Sequence, residues 1–111
     1  MKQKLGMPLI DLTDENFDQE IENHSLAVLD FWAPWCAPCK AFAPTFEAAS
    51  ERYPKILFAR INLDEQPLLG QQFEVRSVPT LLFAKDGTIT KVHLGSLPPA
   101  QFEDVLKSLE K

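Results

Sequence analysis

Residues 26–40 read LAVLDFWAPWCAPCK, an apolar run that leads directly into a pair of cysteines. The run over residues 26–32 is interrupted only by Asp30, which is typical of a strand covered on both faces, as in a parallel sheet. From Cys39 onward, apolar residues recur at helical spacing and predict a helix over residues 37–52. The cysteines are therefore expected where a buried strand ends and a helix begins.

The rest of the chain predicts further strands and helices. Apolar runs predict strands over residues 9–12, 56–63, 80–84 and 89–94. Helices are predicted over residues 14–22 and 67–73, and a last helix is predicted after Pro98-Pro99. Thr13 is expected to cap the first of these helices, and Pro44 predicts a kink in the long second one. Asp86 and Gly87 predict a tight hairpin turn, so the predicted order is βαβαβαββα.

The composition predicts one globular domain over residues 1–111. With 45% hydrophobic residues, the chain can bury a core of the size that a single domain of 111 residues needs. The formal charge of −5 provides no attraction to nucleic acid or to anionic membranes, so neither is expected as a partner. No signal peptide is visible, and no stretch reaches the roughly 18 apolar residues of a membrane span, so a cytoplasmic protein is expected.

The two cysteines favour redox chemistry. Cytosolic thiols are kept reduced, so a cysteine pair there is catalytic, redox-sensing or metal-binding rather than a permanent staple. The start of a helix favours a thiolate, which predicts Cys36 as the nucleophile. Cys39 is expected one turn further on the same face, where it can resolve a mixed disulfide by forming a disulfide with Cys36.

The spacing C-x-x-C taken alone also fits half of a zinc site. Four-ligand zinc needs two further ligands, and the only histidines, His24 and His93, lack the spacing of a zinc-binding pair. We therefore predict no metal, and we interpret His24 as a surface-loop residue and His93 as a strand residue.

Several short motifs resemble the thioredoxin family in order and spacing, and together they cover nearly the whole chain. They are DFWAPWCAPCK at 30–40, Ala43-Pro44, Asn62-Leu63-Asp64, Val78-Pro79-Thr80, Gly87 and Gly95. The resemblance implies a thioredoxin fold, an α/β architecture with a central mixed sheet of about five strands flanked by about four helices. It also implies that Pro79 is cis and lies beside the cysteines.

Asp30 has two interpretations. A carboxylate inside an apolar strand is costly to bury, so Asp30 is either surface-facing or paired with a cation such as Arg60 on the next strand. Alternatively, it is a buried acid and base that serves Cys39 through a water, with a pKa raised by burial. The resemblance favours the second interpretation.

The resemblance also implies roles for residues around the cysteines. A groove for an extended client segment is expected to be lined by Trp35, Pro38, Leu63, Val78, Pro79, Gly95 and Ser96. Residues expected to tune the redox potential are Ala37, Pro38 and Arg60. Ala37 replaces the usual glycine of the family and Arg60 its usual lysine. Glu74 and Ser77 stand where glycines are common, and they are expected to influence the choice of client.

By this resemblance the chain is expected to be a cytoplasmic thiol–disulfide oxidoreductase that carries electrons to disulfide-containing client proteins. It would act as a monomer, be recharged by an NADPH-dependent thioredoxin reductase, and need no bound cofactor besides its dithiol. An oxidant or isomerase of the secretory route usually has a histidine between the cysteines and a preceding signal peptide, and the sequence shows neither. A redox-inactive thioredoxin-fold binding module or co-chaperone would not require Asp30, Trp35 and both cysteines.

Overall fold

The computed structural model describes residues 9–111, which form five strands and four helices in the predicted order. The strands are β1 (Leu9–Asp11), β2 (Leu26–Trp32), β3 (Leu57–Asn62), β4 (Thr80–Lys85) and β5 (Thr88–Leu94). The helices are α1 (Phe17–Glu22), α2 (Ala37–Arg52), α3 (Pro67–Gln72) and α4 (Pro99–Glu110). The predicted bounds of β2 and α2 are confirmed residue for residue. The absence of a signal peptide, expected from residues 1–8, concerns a segment outside the described residues.

The strands form one mixed sheet in the order β1-β3-β2-β4-β5. The neighbours β1, β3 and β2 run parallel, whereas β4 is antiparallel to β2 and β5 is antiparallel to β4. Asp86 and Gly87 both have positive φ angles, as the predicted turn between β4 and β5 requires. Because β2 lies in the middle of the sheet, its carboxyl end delivers the cysteine segment to the centre of one sheet edge.

Two hydrophobic cores cover the two faces of the sheet. One core joins the sheet to α2 and α4, and the other joins it to α1 and α3. Side chains alternate along β2, so Val28 belongs to the α2–α4 core while Leu29 and Phe31 belong to the opposite one. Asp30, two positions after Val28, therefore lies on the face that α2 and α4 cover.

The start of α1 differs from the prediction. The helix begins at Phe17 with Asn16 as its N-cap residue, not near Thr13. The Thr13 hydroxyl accepts a hydrogen bond from the Asn16 amide at 3.1 Å, and the Asn16 side-chain oxygen accepts one from the Thr13 amide at 2.8 Å. These reciprocal bonds are those of a capping box on Thr13, and the Thr13 carbonyl accepts a hydrogen bond from the Phe17 amide at 3.1 Å, so Thr13 caps the turn that leads into α1 as expected.

Pro44 lies inside α2 without ending it. Proline has no N–H, so the carbonyl of Lys40 lacks its usual helical donor. Both residues are exposed, which leaves this carbonyl open to water. The kink predicted at Pro44 stays a prediction. Among residues 9–111, no helix combines the length and apolar character that crossing a bilayer requires.

Candidate active site

Cys36 is the N-cap residue of α2, and Cys39 lies in the first turn of that helix. The two form a disulfide with their Cα atoms 5.3 Å apart. The Cys39 amide donates a hydrogen bond to the Cys36 sulfur at 3.1 Å. Cys36 is 4% exposed and Cys39 is fully buried, so Cys36 is the more accessible of the two. The predicted pairing of the two cysteines at a strand-to-helix junction is therefore present.

The loop before β4 packs against the cysteines through Val78. Val78 packs against the small cluster formed by Ala33, Cys36 and Cys39. The peptide bond between Val78 and Pro79 is cis, as expected from the resemblance. The Gly95 amide donates a hydrogen bond to the Pro79 carbonyl at 2.8 Å, which ties the end of β5 to this loop.

The other residues expected in the groove occupy different environments. Trp35 is 71% exposed, and its indole N–H donates to a carboxylate oxygen of Asp64 at 3.4 Å. Pro38 and Ser96 are exposed. Leu63, in contrast, is half-buried and packs against the α1–α3 core. The structure thus packs Val78 against the dithiol and ties Gly95 to the adjoining Pro79, and it places Leu63 against the core.

Asp30 is fully buried, which excludes the surface-facing alternative. It lies in register with Arg60 on β3 and with Leu81 on β4. Its carboxylate oxygen is 3.7 Å from the Arg60 Nε atom, so the predicted pairing with Arg60 is present. Burial raises the pKa of Asp30 to about 6, and the nearby positive charge of Arg60 offsets only part of this effect. Burial and pairing, treated as alternatives from the sequence, therefore occur together.

Arg60 also contacts Trp32. Its guanidinium carbon is 4.3 Å from the centre of the Trp32 ring, a distance typical of a cation–π contact. Trp32 in turn packs against the cysteine cluster. Sequence reasoning assigned no role to Trp32 and quoted Asp64 only within a motif, because a side-chain contact between strands depends on register, which no local pattern records.

The histidines match their interpretation as structural residues. His24 is half-buried, and its ring contacts the Glu20 carbonyl at 2.9 Å. His93 lies on β5, and its ring is 3.3 Å from the Ser96 carbonyl. Within residues 9–111, no three His, Cys, Asp or Glu side chains are grouped as metal ligands would be.

A cysteine disulfide at a helix start, on a mixed sheet with a cis-proline loop beside it, defines a thiol–disulfide oxidoreductase. The comparisons with known proteins agree with this class. The family model described as Thioredoxin matches residues 8–108, and the chain belongs to the thioredoxin family.

Curated relatives support the same assignment. A thioredoxin of Porphyra purpurea is 38% identical over 102 residues, which cover 90% of this chain and 95% of the relative. A thioredoxin of Alicyclobacillus acidocaldarius is 41% identical over 93 residues, covering 83% of this chain and 89% of the relative. The chain is thus a protein-disulfide oxidoreductase whose substrates are disulfide-containing proteins. The alternative of a redox-inactive binding module is not better supported.

Solved structures show the same fold. The reduced thioredoxin pre-protein of Schistosoma mansoni is 32% identical with a TM-score of 0.83, and the match covers 91% of this chain and 97% of that one. A mutant thioredoxin of Halobacterium salinarum has a TM-score of 0.89 at 24% identity, covering 99% of this chain and 97% of the other. The predicted thioredoxin fold is therefore confirmed.

Proposed function

We propose that Cys36 is the nucleophile of this oxidoreductase and that Cys39 is its resolving thiol. The observation that carries the proposal is the position of Cys36 at the N-cap of α2, with the Cys39 amide directed at its sulfur. The positive end of a helix and a nearby N–H donor both stabilise a thiolate relative to a thiol. The greater accessibility of Cys36 also favours it as the sulfur that meets the client.

The reaction then proceeds in two exchanges. The Cys36 thiolate attacks one sulfur of the client disulfide, a mixed disulfide forms, and the other client sulfur leaves as a thiolate. Cys39 loses its proton and attacks the Cys36 sulfur, which releases the second client thiolate. The client gains two electrons and takes up protons from water, and the enzyme is left with the Cys36–Cys39 disulfide.

Asp30 accepts the proton that Cys39 loses, by way of a water. A carboxylate with a pKa of about 6 is mostly ionised at pH 7, yet it holds a proton readily enough to receive one from a thiol. Asp30 lies on the face of β2 that α2 covers, beneath the helix that carries Cys39. Arg60 tunes Asp30 through its positive charge, and Ala37 and Pro38 tune the dithiol from within the first turn of α2.

The client binds as an extended segment across the surface next to the dithiol. The segment contacts the loop of Val78 and Pro79 and the adjoining Gly95 and Ser96, with backbone hydrogen bonds beside Val78. The exposed indole of Trp35 provides apolar contact area on the other side of the cysteines. Pro38 adds exposed apolar surface, whereas Leu63 contributes by supporting the segment that carries Asp64.

The oxidised enzyme is recharged by an NADPH-dependent thioredoxin reductase, so that it acts as an electron carrier between NADPH and protein disulfides. A dithiol reductant is useful where thiols are kept reduced, which supports a cytoplasmic site of action. The dithiol itself is the redox centre, and the chain works as a monomer without a bound cofactor.

The assignment of the cysteines is tested by limiting alkylation. Reduced protein at pH 7 is treated with less than one equivalent of iodoacetamide, and the labelled peptides are quantified by mass spectrometry. Cys36 is expected to carry most of the label because it is the more accessible and the better stabilised as a thiolate. Preferential labelling of Cys39 would reverse the two roles.

Substitution of the same residues provides the functional test. Cys39→Ser is expected to accumulate mixed disulfides with client proteins, since no resolving thiol remains, and Cys36→Ser is the matched control that accumulates none. The unsubstituted protein is expected to be active in an insulin-disulfide reduction assay, and both variants are expected to lose turnover in it. Equal trapping by the two variants would contradict the proposal.

A further inference from the structure

Trp32 contacts both the cysteine cluster and Arg60, the cation paired with Asp30. It is the last residue of β2, two positions after Asp30, so both side chains share one face of the sheet. Arg60 is in register with Asp30 on the neighbouring strand and reaches towards both. Trp32 also packs against Cys36 and Cys39. The indole is therefore placed to influence how closely Arg60 approaches Asp30.

The Arg60 guanidinium lies over the ring of Trp32 and forms an ion pair with Asp30 without a hydrogen bond. Its central carbon lies 4.3 Å from the ring centre, whereas its Nε atom lies 3.7 Å from the nearer Asp30 oxygen. A separation of 3.7 Å permits an ion pair but is too long for a hydrogen bond.

The buried polar atoms show that this arrangement has a cost. Within the described residues, neither carboxylate oxygen of Asp30 has a hydrogen-bond partner, and the Arg60 Nε atom has none either. A movement of about 1 Å would bring that nitrogen to hydrogen-bond distance of the Asp30 oxygen and pair two orphaned atoms at once. The contact with the Trp32 ring is the interaction that this movement would weaken.

Other charged groups near these residues are few. On β4 the residue in register with Asp30 is Leu81, and Cys39 of α2 is held in the disulfide and does not titrate. Asp11 and Glu65 line the same cavity of about 290 Å³ as Trp32 and Arg60. Both of these carboxylates are exposed, so water screens their attraction for Arg60.

We propose that Trp32 is a positioning residue: its indole face holds the Arg60 guanidinium short of direct contact with Asp30, which leaves Asp30 free to exchange a proton. The proposal rests on the proposed role of Asp30 as the proton acceptor of Cys39. A guanidinium in full contact would lock Asp30 in its ionised form, and a locked carboxylate is a poor acid and a poor base.

The test is the titration of Asp30 in the oxidised protein, where the cysteines cannot titrate. The carboxyl carbon of Asp30 is followed by NMR from pH 4 to 9 in the unsubstituted protein and in Trp32→Leu. Without the ring, Arg60 is expected to close on Asp30 and to lower the pKa of Asp30 by about one unit, since the attraction between the two charges grows as they approach. Trp32→Phe retains a weaker ring face and is expected to show a smaller shift in the same direction.

Two controls separate positioning from general loosening of the structure. In an Arg60→Met background, Trp32→Leu is expected to leave the pKa of Asp30 unchanged, because no guanidinium remains to move. Phe73→Leu removes an aromatic ring on the opposite face of the sheet, and it is expected to leave the titration unchanged in the Arg60 protein. An unchanged pKa in Trp32→Leu, or a higher one caused by Arg60 turning towards Asp11 and Glu65, would overturn the proposal.

The rate of disulfide exchange distinguishes this proposal from the one on which it rests. If Asp30→Asn slows the reduction of a peptide disulfide at pH 7 while Trp32→Leu leaves the Asp30 titration unchanged, only the role of Trp32 is wrong. If Asp30→Asn leaves the rate unchanged, the role of Asp30 in the reaction is wrong, whatever the titration shows. Both proposals hold if Asp30→Asn slows the reaction and Trp32→Leu moves the acidic limb of its pH profile to lower pH.

Discussion

Asp30 is the single residue whose environment conflicts most with its charge. It is fully buried, its oxygens lack hydrogen-bond partners among the described residues, and its nearest cation is too far for a hydrogen bond. Burial therefore outweighs the attraction of Arg60 and raises the pKa of Asp30 from 3.8 to about 6. An environment that costs stability is typical of a group retained for chemistry.

The stability of the fold is expected to record this cost as a function of pH. Below about pH 3, Asp30 is protonated in both the folded and the unfolded chain. As the pH rises towards 6, the unfolded chain releases the proton while the folded chain keeps it, so the free energy of unfolding falls. Above this range Asp30 is ionised in both states, and the full cost of about 3 kcal/mol applies.

Asp30→Asn removes this titration. We expect the variant to be more stable than the parent at pH 7 by about 3 kcal/mol, with the difference falling to about 0.5 kcal/mol at pH 4 and vanishing below about pH 3. Urea unfolding of the oxidised proteins at pH 4, 5.5 and 7 measures the difference. A variant that is less stable than the parent at pH 7 would show that the ion pair with Arg60 dominates and that Asp30 is structural.

At this level the sequence predicted the chemistry better than the contacts. The disulfide between Cys36 and Cys39 at the start of α2 could be predicted, because the strand-to-helix junction is recorded in local sequence, whereas the spacing alone also fitted half of a zinc site. Asp30 and Arg60 could be paired only as an alternative, since pairing depends on strand register. The contact of Arg60 with Trp32 could not be predicted, because the side-chain conformation of Arg60 depends on the packing around it in three dimensions.

Among the elements, α2 and α4 pack together against the face of the sheet on which Asp30 lies. Phe102 of α4 is fully buried and lies within 6.4 Å, between ring centres, of four other phenylalanines. These are Phe42 and Phe46 of α2 and Phe58 and Phe83 of the sheet. One side chain therefore joins both helices to the face of the sheet on which Asp30 lies.

Phe102→Ala is expected to destabilise the protein by about 3–5 kcal/mol, since it removes a large buried ring and leaves a cavity that the rigid sheet cannot close. Val92→Ala, at an exposed site on β5, is the control and is expected to change stability by less than about 0.5 kcal/mol. The free energy of unfolding in urea at pH 7 measures both. A loss below about 1 kcal/mol for Phe102→Ala would mean that α4 is not anchored through this ring.

The elements with regular periodicity were predicted to within one or two residues at each end, and the irregular one was not. The start of α1 was placed too early because Thr13 is a good cap in isolation. Thr13 and Asn16 do exchange the hydrogen bonds of a capping box, but the regular helix begins only at Phe17. A capping residue indicates where the chain turns into a helix, but it does not fix the residue at which the regular helix begins.

For the whole molecule, the strand order was the part that local patterns left open. The helix between β2 and β3 indicates that these strands are parallel, and the tight turn indicates that β4 and β5 are antiparallel neighbours. Neither pattern places β1 beside β3 at the edge of the sheet. The resemblance to the thioredoxin family supplied the sheet as a whole, and the matches to solved structures confirm the fold. A single domain over residues 1–111 stays a prediction.

The net charge is a second property of the whole molecule. The chain has 11 basic and 16 acidic residues, so its formal charge is −5. The described residues span 30 × 29 × 28 Å. The screening length of salt is about 30 Å at 10 mM and about 10 Å at 0.1 M. At low salt an approaching client therefore senses the net charge, whereas at high salt it senses only the charges nearest the dithiol.

Client choice is consequently expected to depend on salt. Two synthetic peptides that share one disulfide, flanked by lysines in one and by glutamates in the other, are reduced at ionic strengths of roughly 10 mM and 500 mM. At low salt kcat/KM is expected to favour the cationic peptide by about 3–10-fold, because a field of opposite sign speeds encounter, and the preference is expected to approach one at high salt. Asp104→Asn combined with Glu110→Gln, two exposed positions on α4, makes the chain less negative and is expected to reduce the preference at low salt. A preference that survives at 500 mM and ignores these substitutions would mean that contacts beside Cys36, rather than the field of the whole molecule, select the client.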